Sequence, residues 1–173
     1  MHGPVEGQFA FKCSTCGKTH VGIPDLAFDA PFQYDSMSEK ERRETGELTT
    51  DTCIIAGEDF FVRGFLEIPV IGRSESFAYG VWVSLSARNF QRYQELFERS
   101  DRLEEPPYFG WFCNKLPGYP DTLNLKTNVI RQPYPDRPRI ELEPSDHPLA
   151  VEQRKGITIE RLQEILEANE HAA

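Results

Sequence analysis

The chain has 173 residues, with 19 Lys plus Arg against 28 Asp plus Glu, a formal charge of -9 and a pI near 5.0. A free-standing duplex-DNA binder needs a basic stripe to neutralise phosphates, so the charge balance argues against nucleic acid as a partner, and a basic protein partner is the better match to the total charge. Apolar residues at 39%, aromatics at 12% and a mean hydropathy of -0.52 exclude a disordered chain and an integral membrane protein.

This length favours one domain. Residues 1–8, with Gly3, Pro4 and Gly7, read as a loose lead-in, residues 9–169 as a single domain and residues 170–173 as a tail. No stretch approaches the roughly 20 apolar residues of a membrane span. The first twenty residues lack the apolar core of a secretory signal, so a cytoplasmic location is expected. Cys13, Cys16, Cys53 and Cys113 are too few and too scattered for a disulfide scaffold.

Along the chain, Phe9 to Lys12 alternates like a strand and runs into Cys13-Ser14-Thr15-Cys16-Gly17. Residues 21–35 read as turn. Ser38 with Glu41 makes a capping box for a short charged helix ending near Gly46. Residues 52–56, 60–70 and 77–85 are β-branched and aromatic runs separated by turn clusters, which predicts an antiparallel meander. Ser84 or Ser86 then caps a helix whose Phe90, Tyr93, Leu96 and Phe97 fall on one face.

Residues 108–113, 123–131 and 138–143 are further strand candidates. A helix beginning near His147, with Pro148 in its first turn and Ser145 or Asp146 as cap, should end at Gly156. A second helix, capped by Thr158, presents Ile159, Leu162, Ile165 and Leu166. The expected fold is therefore α+β: an antiparallel sheet of about five to seven strands with helices packed against it and an N-terminal CxxCG knuckle.

That knuckle is the most chemically specific motif. Two thiolates three positions apart can grip one metal, and His20 adds a third ligand. A structural zinc ion needs four. Cys53, Cys113 and His147 could each supply the fourth, and Cys53 is preferred because it opens the first meander strand. A redox dithiol is the weaker reading, because Gly17, Gly22 and Pro24 argue against the helix N-terminus that usually lowers a thiol pKa.

Residues 106–131 form the one locally basic segment, with Lys115, Lys126 and Arg131 against Asp121, and they are also rich in aromatics. Tyr108, Trp111, Lys115 and Lys126 are the candidate partner or ligand surface. The competing reading is core packing, since aromatics at strand spacing, such as Phe109 and Trp111, usually fill the interior. Asp146-His147-Pro148 reads first as a helix cap and only second as an acid-base pair. The common phosphate-loop, dinucleotide and zinc-hydrolase motifs are absent.

The runs CSTCGKTHVGIP, DTCIIAGEDFFVRGFLEIPV, YGVWVSLSARNFQRYQELF, EEPPYFGWFCNKLPGYPDTLNLKT and RPRIELEPSDHPLAVEQRKGITIERLQEI resemble, in order, the bacterial domain-of-unknown-function family 2199. Cys13, Cys16, Gly17 and His20 match its opening C-x-x-C-G-x-x-H pattern. The resemblance implies one compact domain and carries over no catalytic residue. The reading preferred here is a non-enzymatic binding or regulatory domain with a structural zinc knuckle. The alternative is an enzyme whose metal-bound water or thiolate lies where Cys13, Cys16, Cys53 and His147 converge.

Overall fold

The computed structural model describes residues 10–13, 16–21 and 26–170. Strands β1 (Ala10–Lys12) and β2 (Thr19–Val21) form a separate antiparallel hairpin. Its turn is closed by Cys13 N–H donating to Lys18 O at 2.9 Å and Gly17 N–H donating to Cys13 O at 3.0 Å, with Gly17 at φ 71°. Ser14 and Thr15 of the CxxCG motif lie outside the described residues, as do the lead-in 1–8, Phe9 and the end of the tail.

The main sheet has eight strands: β3 (Leu26–Ala27), β4 (Gly46–Leu48), β5 (Thr52–Ile55), β6 (Asp59–Pro69), β7 (Ser76–Leu85), β8 (Tyr108–Phe112), β9 (Lys126–Ile130) and β10 (Arg139–Leu142). Their order is β3-β7-β8-β9-β10-β6-β5-β4, and β6 also pairs with β7. Strands β6 to β10 thereby close into a five-stranded barrel.

The α+β class holds, but the purely antiparallel sheet does not. Successive strands of a meander alternate in direction, so a ring of five must bring its first and last strands together in parallel. That seam is β6 with β10, through Phe65 opposite Arg139, with Phe65 N–H donating to Pro138 O at 3.0 Å. Gly64 makes it possible. A Cβ there would lie 2.6 Å from Pro138 O and 2.7 Å from Ile140 Cδ1. β3 also pairs in parallel, with β7.

The period-two alternation of the strands sorts their side chains onto two faces. Val62, Leu66 and Ile68 of β6, with Phe77, Tyr79, Val81, Val83 and Leu85 of β7, fill the main core. Alternate positions face outward, where Cys53, Phe61, Trp82 and Cys113 form a second buried cluster under Phe28 and Tyr34. Trp82 Nε1–H donates to Phe28 O at 2.8 Å, and buried Asn114 ties Trp82 N–H (2.7 Å) to Ala30 O (3.1 Å). The segment read as turn before residue 35 thus acts as a cover.

The helices are α1 (Phe32–Asp35), α2 (Glu39–Thr45), α3 (Ala87–Glu95), α4 (Pro148–Lys155) and α5 (Ile159–Glu170), with a 3-10 turn at Ser100–Glu104. Ser38 caps α2 by accepting from Glu41 N–H at 3.2 Å, as the capping box predicts. Ser86, not Ser84, caps α3 by accepting from Asn89 N–H at 3.1 Å. α3 presses Phe90 and Tyr93 onto β6 and β7, and α4 packs on β6 and β10.

His147 itself caps α4, where Ser145 or Asp146 was expected. Its Nδ1 accepts from Leu149 N–H at 3.0 Å, and its Nε2 lies 3.0 Å from Asp121 O. The imidazole wins the cap because it can satisfy an orphan helix N–H and a neighbouring loop carbonyl at once, which a Ser or Asp side chain cannot span.

Candidate functional site

The predicted metal ligands are distributed as follows. Cys13 is buried in the main core, and Cys16 is exposed on the hairpin turn. His20 lies on β2 opposite Phe11, and its side chain is outside the described residues. Cys53, the preferred fourth ligand, belongs to the outer cluster together with Cys113. Among the described residues no three His, Cys, Asp or Glu side chains form a group able to hold a metal ion.

Burial, and secondarily the nearby Asp35 carboxylate, pushes the Cys53 thiol up to about 12. Burial pushes Cys113 up to about 11. Cys113 Sγ donates to Trp111 O at 3.1 Å and accepts from Gln33 Nε2 at 3.6 Å. A buried thiol that favours its neutral form is a packing group rather than a nucleophile at neutral pH.

The basic aromatic segment behaves differently. β8 alternates buried and exposed positions: Tyr108, Gly110 and Phe112 point in, while Phe109 and Trp111 point out and remain 40% and 42% exposed. Their rings meet edge to face with centroids 4.9 Å apart. The expectation that these two fill the core is therefore overturned. The inward track has no room for them, since a Cβ at Gly110 would already lie 2.7 Å from Ser84 O and 3.3 Å from Thr127 Oγ1.

Across the β8–β9 ladder, Trp111 stands opposite Lys126 and Phe109 opposite Asn128, so these side chains share the outer face. On the other side Trp111 is paired with Ser84 of β7. Lys115 places its Nζ 4.3 Å from the Phe32 ring centroid, at the rim of the cover over the outer cluster. Arg131, the third base of the segment, is buried against the Tyr93 ring at 3.9 Å and donates to Tyr93 O at 3.1 Å. It serves the core, not the face.

Of the four residues predicted for a ligand surface, Trp111 and Lys126 lie on one face and Lys115 lies on the rim of the neighbouring cover. Tyr108 does not join them. It is 5% exposed and donates its hydroxyl to Glu105 Oε2 at 2.7 Å, and burial followed by that bond raises its pKa to about 12. Glu105 also takes two hydrogen bonds from Arg92, at 2.8 and 3.1 Å. This clamp forms one wall of a groove of about 710 Å³ between α3 and Glu105–Tyr108, which also carries Arg88 and Asn89. Nothing in the sequence signalled that groove, because its two walls are ten or more positions apart in the chain.

No described helix is long and apolar enough to cross a membrane. A family model described as uncharacterized protein conserved in bacteria (DUF2199) matches residues 12–157. No curated protein and no solved structure matches the chain.

Proposed function

We propose that this chain, which belongs to the DUF2199 family of proteins conserved in bacteria, is a non-enzymatic binding domain that holds a protein partner on the outer face of β8 and β9. One observation carries the reading. Phe109 and Trp111 stand side by side in solvent on a closed barrel, next to a lysine. Large aromatics stabilise a fold most when buried, so two adjacent ones left outside are suited to a partner surface, where aromatic side chains, Trp above all, act as anchors.

The barrel holds this face in place, because β8 is paired with β9 from Tyr108 to Trp111 and with β7 at Trp111 and Phe112. Against the enzyme reading stand the raised pKa values of Cys53 and Cys113 and the engagement of both His147 ring nitrogens with backbone groups.

The test is site-specific photocrosslinking in bacterial cells. A benzoylphenylalanine in place of Phe109 should give a discrete protein adduct. The same group in place of Leu103, an apolar residue on the 3-10 turn that is more exposed than Phe109 at 51%, should not. Equal adducts at both positions, or none at Phe109, would count against the face.

A further inference from the structure

The partner's chemistry can be narrowed by asking what continues from the aromatic pair. The β7–β8 register pairs Ser84 with Trp111, and carried two residues further it sets Phe109 level with Ser86, the cap of α3. Ser86 is also where the 710 Å³ groove begins. Tyr108, the neighbour of Phe109 in β8, lines the same groove, so the aromatic pair adjoins it, and a track can be drawn from Lys126 past Trp111 and Phe109 toward Arg88.

The charges along this track are of two kinds. Arg92 is committed to Glu105, and Glu95 lies 3.8 Å from Arg92 and accepts from Gln91. Lys126 and Arg88 are exposed and have no carboxylate partner among the described residues. A protein with a formal charge of -9 has acids to spare, yet among the described residues neither cation forms an ion pair, and Glu143 meets Lys126 through the backbone, its N–H donating to Lys126 O at 2.9 Å.

We infer that the track binds an acidic, extended segment of a protein partner: apolar side chains lie on Phe109 and Trp111, and flanking carboxylates reach Lys126 at one end and Arg88 at the other. This rests on the proposed binding face and adds the chemical class of its occupant. It also departs from the basic partner suggested by the total charge, because recognition depends on the charges at the contact rather than on the sum. A nucleic acid could offer the same pattern of stacking and negative charge. It is the less favoured ligand, since two isolated cations are far fewer than a phosphate backbone requires.

Intrinsic fluorescence gives a direct readout, because Trp82 is 0% exposed while Trp111 is 42% exposed. The full chain is titrated with three probes of about ten residues: a peptide of alternating Glu and Leu, its Lys and Leu counterpart, and oligo-dT. The expected result is saturable protection of Trp111 from acrylamide by the acidic peptide alone. Arg88→Gln and Lys126→Gln should each weaken it about fivefold or more, and Phe109→Ala about tenfold or more.

Protection by the Lys peptide instead, or by oligo-dT, would overturn the acidic-segment inference while leaving the face in use. Failure of all three probes to protect Trp111 would overturn it as well, and the crosslinking at Phe109 would then judge the face independently. Unchanged circular dichroism and urea midpoints for the exposed Arg88 and Lys126 variants would separate lost binding from lost folding.

Discussion

Two tryptophans in similar strand contexts have opposite roles. Trp82 is sealed between strands and cover, with its indole N–H spent on Phe28 O, and the Arg63 guanidinium lies 5.7 Å from its ring centroid. Trp111 is 42% exposed and meets the Phe109 ring edge to face. Trp111→Ala should therefore lower the unfolding free energy by about 1 kcal/mol or less, whereas Trp82→Ala should cost about 3–5 kcal/mol. Urea denaturation of both variants checks the contrast, and near-equal losses would mean that Trp111 is a packing residue after all.

The cysteines allow a pH argument. Cys53 has an ordinary value of 9.0 and a folded value of about 12. The neutral thiol is favoured in the folded state, so its contribution to stability is complete below pH 9 and is lost as the pH rises toward 12. Cys113 acts in the same direction. Urea midpoints should be level between pH 7 and 8.5 and fall above pH 9.5. Iodoacetamide at pH 8 should leave both residues unmodified in the native protein and label them fully in urea, as read by peptide mass spectrometry.

At the scale of elements, the barrel depends on a narrow seam. β6 and β10 share a single paired register position, Phe65 with Arg139, and Gly64 beside it leaves no room for a methyl group. Gly64→Ala should cost about 1–3 kcal/mol by forcing the seam apart, and hydrogen exchange should localise the added opening to β10 and to α4, which packs on it. An unchanged exchange pattern in β10 would show that closure tolerates the intrusion. The cap of α4 gives a smaller prediction: His147→Ala should cost about 1 kcal/mol in thermal or urea unfolding without reducing peptide protection of Trp111.

Local signals of this kind were legible in the sequence. Ser38 with Glu41, Thr158 before Ile159 and Gly156 at φ 81° act through bonds and backbone angles within a few residues, so the sequence contains both partners. The 3.6-residue spacing of Phe90, Tyr93 and Leu96 predicts the buried face of α3 for the same reason. His147 as the cap was less readable, because half of its fitness lies in Asp121 O, a carbonyl on a distant loop.

At the scale of the molecule, the net charge and the contact face pull in opposite directions. An acidic partner would meet the field of the whole chain before it meets Lys126 and Arg88. At about 0.01 M ionic strength the screening length is about 30 Å and repulsion from the -9 total dominates, whereas at about 0.1 M it shrinks to about 10 Å and the local cations govern the encounter. Association of the Glu and Leu peptide should therefore accelerate between those salt concentrations, measured by stopped-flow fluorescence. A monotonic slowing would mean that the face dominates the long-range field.

By itself the sequence determined the mixed class, the meander, most helix limits and the residues from which a face could be built, because those follow from periodicity and short-range capping. It did not determine which way β8 faces. Tyr108, Gly110 and Phe112 on one side and Phe109 and Trp111 on the other are both aromatic sets, so alternation identifies two faces without saying which is interior. Closure of the barrel decided it. With β7 and β9 on either side of β8, the inward middle position can accept only a glycine, Tyr108 and Phe112 are buried on either side of it, and Phe109 and Trp111 are left exposed, Trp111 opposite Lys126.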